Sequence, residues 1–399
     1  MSPDPTSRKD VDDTTAGLGR QAVAFAAMAG AVLLLLALRS ARPAPGERVA
    51  LRSAEPLPGA ARVDRPVRPP EPRHAVTRPA PARHPWVGRP SGPTTRESMM
   101  ERGLDIRIAP GRAAGPGVDE RRIEYPLESL FVLPGDTVRF QATVADGTRL
   151  SVDADGGDLR PGRGAGWWTW IAPDEPGLSR VDIRHPGQLA EVRLHAFTLT
   201  PATEVERGFL NGYRIGTYPA RALSGNPLYR PPEGFVEITE ANEDTRVSPH
   251  FQLRHFPAKQ GATYPKYVVL RPALLRKLER VIDALGDRGY PVRSLHVMSG
   301  YRTPYYNVSV LGNARYSRHQ WGGAADVFVD ERPKNGRMDD LNGDGRVTLG
   351  DARVVHSVVD SLDLDMGANV PIGGLGLYAA NSVRGPFAHI DVRGVAARW

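Results

Sequence analysis

His319 and Asp326 stand seven residues apart, and between them Gly322, Gly323, Ala324 and Ala325 carry almost no side chain. Such residues let a backbone turn tightly and let a metal ion sit close to it. An imidazole nitrogen and a carboxylate oxygen suit a borderline cation such as zinc. That ion takes its ligands tetrahedrally and, in catalytic sites, leaves one position for water. A third protein ligand is then required, and the strand-like run Phe387-Ala-His-Ile-Asp-Val-Arg-Gly394 offers His389. The chain contains no cysteine, which excludes thiolate metal sites, disulfides and a cysteine nucleophile.

The elements that must carry these residues are legible around them. Leu274, Leu275, Leu278, Val281, Ile282 and Leu285 recur at helical spacing, with Pro272 in the first turn and Gly286 and Gly289 at the end, predicting a helix over Pro272–Arg288. Pro291-Val-Arg-Ser-Leu-His-Val-Met298 reads as a buried strand that runs into Ser299-Gly-Tyr-Arg-Thr-Pro304. Ser317-Arg-His-Gln-Trp-Gly-Gly-Ala-Ala-Asp326 follows that proline by thirteen residues.

Three ordered motifs, Ser299-Gly-Tyr-Arg302, the set Ser317, His319, Gly322, Ala324 and Asp326, and His389-Ile-Asp-Val-Arg-Gly394, carry a resemblance. Together they resemble the zinc D-alanyl-D-alanine carboxypeptidase and murein endopeptidase superfamily, whose fold is shared with the hedgehog signalling domain. Val247-Ser-Pro-His-Phe-Gln-Leu-Arg-His-Phe256 is similar to the opening of one branch. The resemblance covers roughly residues 205–399. It implies zinc on His319, Asp326 and His389, and a substrate carboxylate or carbonyl held by Arg302, with Tyr301 and Ser317 beside it.

One departure concerns the general base. Many members place an acid three residues before the second histidine, where this chain has Pro386. Water activation still needs a proton acceptor. Asp391, two residues beyond His389 on the same strand face, is the nearest carboxylate in sequence. It reads equally well as a proton shuttle or as a group that orients an imidazole or pairs with Arg393.

Between the second and third zinc candidates lies Asp-Leu-Asn-Gly-Asp-Gly-Arg-Val-Thr-Leu-Gly-Asp, residues 340–351. Asp340, Asn342, Asp344, Thr348 and Asp351 fall at the oxygen-ligand positions of an EF-hand-type loop, Arg346 supplies a backbone carbonyl, and Gly345 allows the sharp turn. Val354, Val355, Val358 and Leu362 predict a helix after the loop, whereas Arg332-Pro-Lys-Asn-Gly-Arg337 excludes a regular helix before it. A lone loop is a poor calcium sensor, so structural calcium tying down an insertion is the expectation.

The rest of the chain supports the same class. Twelve arginines against four acids between Arg39 and Arg96 carry more than the whole net charge of +7, so the remainder offers no basic patch for nucleic acid. Ala22–Leu38 is seventeen uncharged residues between Arg20 and Arg39, with no convincing small-x-small site after it. It reads as an uncleaved transmembrane anchor (21–39) after a short cytoplasmic segment (1–20), with a cleaved signal peptide as the alternative. Thirteen prolines between Pro43 and Pro93 make 40–104 an unfolded Pro/Arg-rich stalk. Period-two runs such as Thr137–Val144, with turns at short intervals, predict an antiparallel β-sandwich over 105–200, with Trp167, Trp168 and Trp170 in one strand. The expected fold class is therefore α+β, with a hedgehog-like zinc peptidase domain at 201–399. Its substrate would be peptidoglycan, met outside the cytoplasmic membrane and cut in stem peptides or cross-links by endopeptidase or D-Ala-D-Ala carboxypeptidase action. The rival class is a non-catalytic wall-binding protein stabilised by zinc and calcium.

Overall fold

The computed structural model describes residues 96, 99, 103–109, 121–186, 191–290, 292–365 and 371–399. The expected cytoplasmic segment (1–20), the anchor (21–39) and the stalk as far as residue 95 lie outside the described residues. No helix among the described residues is long and apolar enough to cross a membrane.

The first half is built from β1 (Leu104–Ile108), β2 (Arg121–Arg122), β3 (Leu127–Val132), β4 (Thr137–Val144), β5 (Ser151–Ala154), β6 (Asp158–Pro161), β7 (Trp167–Ile171), β8 (Gly177–Arg184) and β9 (Glu191–Thr198). They form two sheets, ordered β2-β1-β4-β7-β6 and β3-β9-β8-β5. Alternation drives the pairing: Val138, Phe140, Ala142 and Val144 of β4 turn inward with Trp170, Val181, Ile183 and Leu194. The pairs are antiparallel except β3 with β9, which run parallel, so the expected all-antiparallel sandwich is corrected at that edge. Trp170 is buried with its indole N–H on the Gly156 carbonyl at 2.8 Å. Met99 is also buried in this core, which moves the start of packed structure back into the segment read as stalk.

The second half opens with β10 (Thr200–Pro201), a hairpin of β11 (Phe209–Leu210) and β12 (Tyr213–Arg214), then β13 (Gly234–Ile238) and β14 (Lys266–Val268). Its main sheet uses β15 (His296–Ser299), β16 (Ala324–Phe328), β17 (Gly374–Tyr378), β18 (Phe387–Asp391) and β19 (Ala397–Arg398), ordered β15-β16-β18-β17-β19. These pairs are antiparallel except β17 with β19, which is parallel. The ladder takes only the last part of the strand read over 291–298. The preceding Val292 and Leu295 are buried outside it.

Two helices pack on this sheet, α1 (Pro272–Asp287) and α2 (Leu349–Leu364). The apolar stripe of α1 is buried, and Val355 and Val359 of α2 join the same core as Leu375 and Ile390. Lys277 is fully buried yet satisfied: its ammonium donates to Asp363 Oδ1 at 2.6 Å and to the carbonyls of Pro371 and Asp391 at 3.0 and 3.2 Å. Both helices are thereby pinned to the end of β18. The two halves are also bonded to each other. Tyr125 donates to Asp283 at 2.7 Å, Ser129 Oγ to the Val247 carbonyl at 2.7 Å, and His195 Nδ1 to the Arg246 carbonyl at 2.7 Å.

Candidate metal centre

Strand pleat decides what reaches the face of the main sheet turned away from the helices. Leu375 pairs with Ile390 and points to the helices, so Gly374, Gly376 and Tyr378 share the opposite face with Asp391, His389 and Phe387. Asp326 on β16 lies directly opposite His389 on β18. His319 arrives from a short 3-10 helix, Arg318–Trp321, ended by Gly322 in the left-handed region at φ 61°. A Cβ at Gly322 would lie 2.2 Å from the Val269 carbonyl oxygen. That glycine is therefore required by the turn and by the Val269–Leu270 backbone packed against it, and not by a metal approaching the backbone.

The three ligand candidates meet. His319 Nε2 lies 3.2 Å from His389 Nδ1 and 3.3 Å from Asp326 Oδ1, and His389 Nδ1 lies 2.9 Å from Asp326 Oδ1. A tetrahedral zinc with bonds of about 2.0–2.1 Å separates its ligand atoms by about 3.3 Å, so this triangle has the size of one face of that tetrahedron. The tautomers agree with it. His319 Nδ1 faces the Gly300 carbonyl at 2.6 Å and must donate its hydrogen there, which leaves Nε2 a lone pair. His389 Nε2 faces Asp391 Oδ2 at 3.2 Å, which leaves Nδ1 for the triangle. Among the described residues this is the one group of three acidic or imidazole side chains whose ligand atoms converge in this way.

Electrostatics favour a cation. Burial would raise the Asp326 carboxyl, but the His319 and His389 imidazoles outweigh burial and hold it well below the usual carboxylate range. Burial pushes the His319 imidazole down despite Asp326. His389 goes the other way: burial lowers it, and hydrogen bonds with Asp326 and Asp391 more than compensate.

Arg302 holds the triangle from outside. Its Nη2 donates to Asp326 Oδ2 and its Nε to Ser299 Oγ at 2.9 Å, so the oxygen left to the site is Oδ1. Asp391 is fully buried, with Oδ1 accepting from the Gly374 amide at 2.7 Å and both oxygens accepting from Arg393. Burial works against its charge, yet His389 and Arg393 keep it far below the carboxylate range. It stands at the imidazole nitrogen that faces away from the triangle, which is the geometry of an orienting group. A carboxylate so placed and so committed has no free oxygen for a substrate-side proton.

Tyr301 does not line the site. It is 1% exposed, and its hydroxyl is bonded to Tyr218 at 2.8 Å, so it packs underneath. Ser317 is the half-buried residue before the 3-10 helix, with its amide on the Ala314 carbonyl at 3.2 Å. Pro386 is buried where the resemblance leads one to look for an acid.

Trp399 and the glycines of β17 escape the motif reading. A Cβ at Gly376 would lie 2.5 Å from Trp399 Nε1, so only glycine leaves room for the indole. The indole centroid lies 5.2 Å from that of His389, its Nε1 donates to Tyr378 Oη at 2.7 Å, and Arg393 covers it at 5.0 Å. The alternation in Gly374-Leu-Gly-Leu-Tyr378 was the available signal: leucines to the helices, glycines to the site.

In the loop at 340–351, Asp340 accepts from the amides of Gly343, Asp344 and Gly345, and Asp344 accepts from Arg346 N at 2.9 Å and Asn342 Nδ2 at 3.1 Å. Asp351 accepts from the amides of Leu341, Asn342 and Thr348 and closes a capping box with Thr348 at the start of α2. The predicted helix after the loop is α2, and residues 329–339, which lead into the loop, contain no helix. Comparison with known proteins adds no relative, for no protein-family model matches the chain and no curated protein matches it.

Proposed function

We propose that this chain is a zinc-dependent peptidase that hydrolyses peptide bonds in the stem peptides or cross-links of bacterial cell walls, anchored by its N-terminal segment and acting outside the cytoplasmic membrane. The single observation that supports it most is the triangle of His319 Nε2, Asp326 Oδ1 and His389 Nδ1, each tautomer set by a partner behind it. The three ordered motifs supply the substrate class. Zinc bound there would provide a Lewis acid for the scissile carbonyl and lower the pKa of water.

The chain's own residues do the remaining work. Gly300 and Asp391 hold the two imidazoles in the tautomers that present lone pairs, and Arg302 holds the Asp326 carboxylate by its Oδ2. Such supporting bonds orient ligands and tune their basicity. Arg302 has one nitrogen, Nη1, left for a substrate carbonyl or carboxylate, a role suited to its planar fork. The loop at 340–351 would bind calcium structurally and fasten the start of α2.

One observation favours the rival reading. Asp391 is committed to His389 and Arg393, and Pro386 stands at the acidic position, so the described residues place no free carboxylate beside the triangle. A non-catalytic zinc- and calcium-stabilised wall-binding protein would need none. Full-length protein incubated with isolated sacculi separates the two. Soluble muropeptide fragments from the parent and none from His319→Ala support the peptidase, whereas sacculus binding that survives His319→Ala with no fragments from either supports the binder.

A further inference from the structure

The side of the main sheet that faces away from the helices carries two arginines bonded to the carboxylates of the site and a third, Arg384, against Phe387 and Tyr378, and they are not equivalent. Arg302 is bonded to Asp326 and Ser299, and Arg393 is bonded to both oxygens of Asp391. Arg384 has no carboxylate among the described residues. Its guanidinium lies 4.3 Å from the Phe387 ring centroid and 5.6 Å from that of Tyr378, two rings stacked at 4.6 Å and 2°. Its Nη1 is shielded from solvent and has no hydrogen-bond acceptor. Arg318 also keeps unpaired nitrogens, but it is sealed at 2% exposure over Tyr229 and can reach no substrate.

The backbone under Arg384 is fixed before any ligand arrives. Asn381 N donates to the Arg384 carbonyl at 2.9 Å, and Asn381 Oδ1 accepts from the Val383 and Arg384 amides at 2.9 and 3.0 Å. Phe387 shares its strand face with His389 and stands two residues, about 7 Å, along it. A peptide with its scissile bond at the triangle and running parallel to the line from His389 to Phe387 therefore passes Arg384 about two residues from that bond. A half-buried guanidinium held against two aromatic rings, with no anion among the described residues, is matched to a carboxylate.

We propose that Arg384 is the anchor for a carboxylate of the substrate peptide, borne about two residues from the bond that is cut. This rests on the peptidase reading and sharpens it: the substrate is acidic, and Arg384 selects for that charge while Arg302 holds the metal carboxylate.

The test uses full-length zinc-loaded parent, Arg384→Gln and Arg384→Lys, with melting temperature and zinc content measured for each. The probes are an acidic stem-type peptide and the same peptide with its carboxylate converted to a carboxamide, and the readout is equilibrium binding by calorimetry. The parent is expected to bind the carboxylate form at least about tenfold tighter, the lower end for a hydrogen bond to a charged group. Arg384→Gln removes that gap with zinc content unchanged, and Arg384→Lys keeps part of it. A gap that persists in Arg384→Gln, or a parent that does not prefer the carboxylate, overturns the proposal. Cleavage is scored separately with sacculi: a gap that closes in Arg384→Gln while the parent releases no fragments keeps the anchor and rejects the peptidase.

Discussion

Replacing Asp391 by Asn separates the two roles that a carboxylate beside His389 could have. The substitution keeps the shape of a group that is 0% exposed but removes the charge that holds His389 Nε2 at 3.2 Å and faces Arg393. Loss of such a supporting partner typically costs about 10- to 100-fold in metal affinity. That corresponds to about 1.4–2.7 kcal/mol. An orienting Asp391 therefore predicts weaker zinc binding, read by competition with a calibrated chelator, and hydrolysis that recovers substantially once zinc is saturating. A proton shuttle predicts the reverse: unchanged zinc affinity and a collapse of kcat that no added zinc restores. Asp391→Ala is the poorer probe, because it also empties a fully buried position and takes away every side-chain acceptor of the Gly374 amide and the Arg393 guanidinium. Parental zinc affinity in a folded Asp391→Asn would refute the positioning argument.

Other consequences are as definite. Gly322→Ala places a Cβ 2.2 Å from the Val269 carbonyl at a φ of 61°, and should destabilise the fold by about 3 kcal/mol or more, seen as a lower melting temperature. Burial lowers the His195 imidazole from 6.5 to about 4, so its contribution is complete above pH 6.5 and is lost as pH falls toward 4. On the order of 3 kcal/mol of stability should disappear across that window through this group, and urea titrations of His195→Asn should show a flatter acid limb. With zinc saturating, calcium added to the calcium-free chain should raise the melting temperature without changing zinc content. An unchanged melting temperature would make residues 340–351 a polar turn only.

The sequence carries some parts of this molecule openly and hides others for a physical reason. The helix at Pro272–Asp287 and the strand at Thr137–Val144 were legible because period 3.6 and period 2 are local patterns. His319 and Asp326 were legible because their spacing and small neighbours are local too. What was hidden depends on register between distant strands: that Gly376 pairs with His389 and so makes room for Trp399, or that Asp391 lands behind an imidazole. Tyr301 shows the limit of adjacency in a motif, since a neighbour of Arg302 on the chain is buried against Tyr218. The parallel pairings of β3 with β9 and β17 with β19 likewise leave no local trace, because alternation fixes a face but not a direction.

The central claim, that zinc held by His319, Asp326 and His389 serves hydrolysis of wall peptides, is tested most directly by titrating zinc into the metal-free full-length chain in the presence of isolated sacculi. Soluble peptide release should rise with zinc and saturate at one equivalent, with none from His319→Ala at any zinc concentration. A chain that binds one equivalent of zinc, stays folded and releases no more than His319→Ala would contradict it.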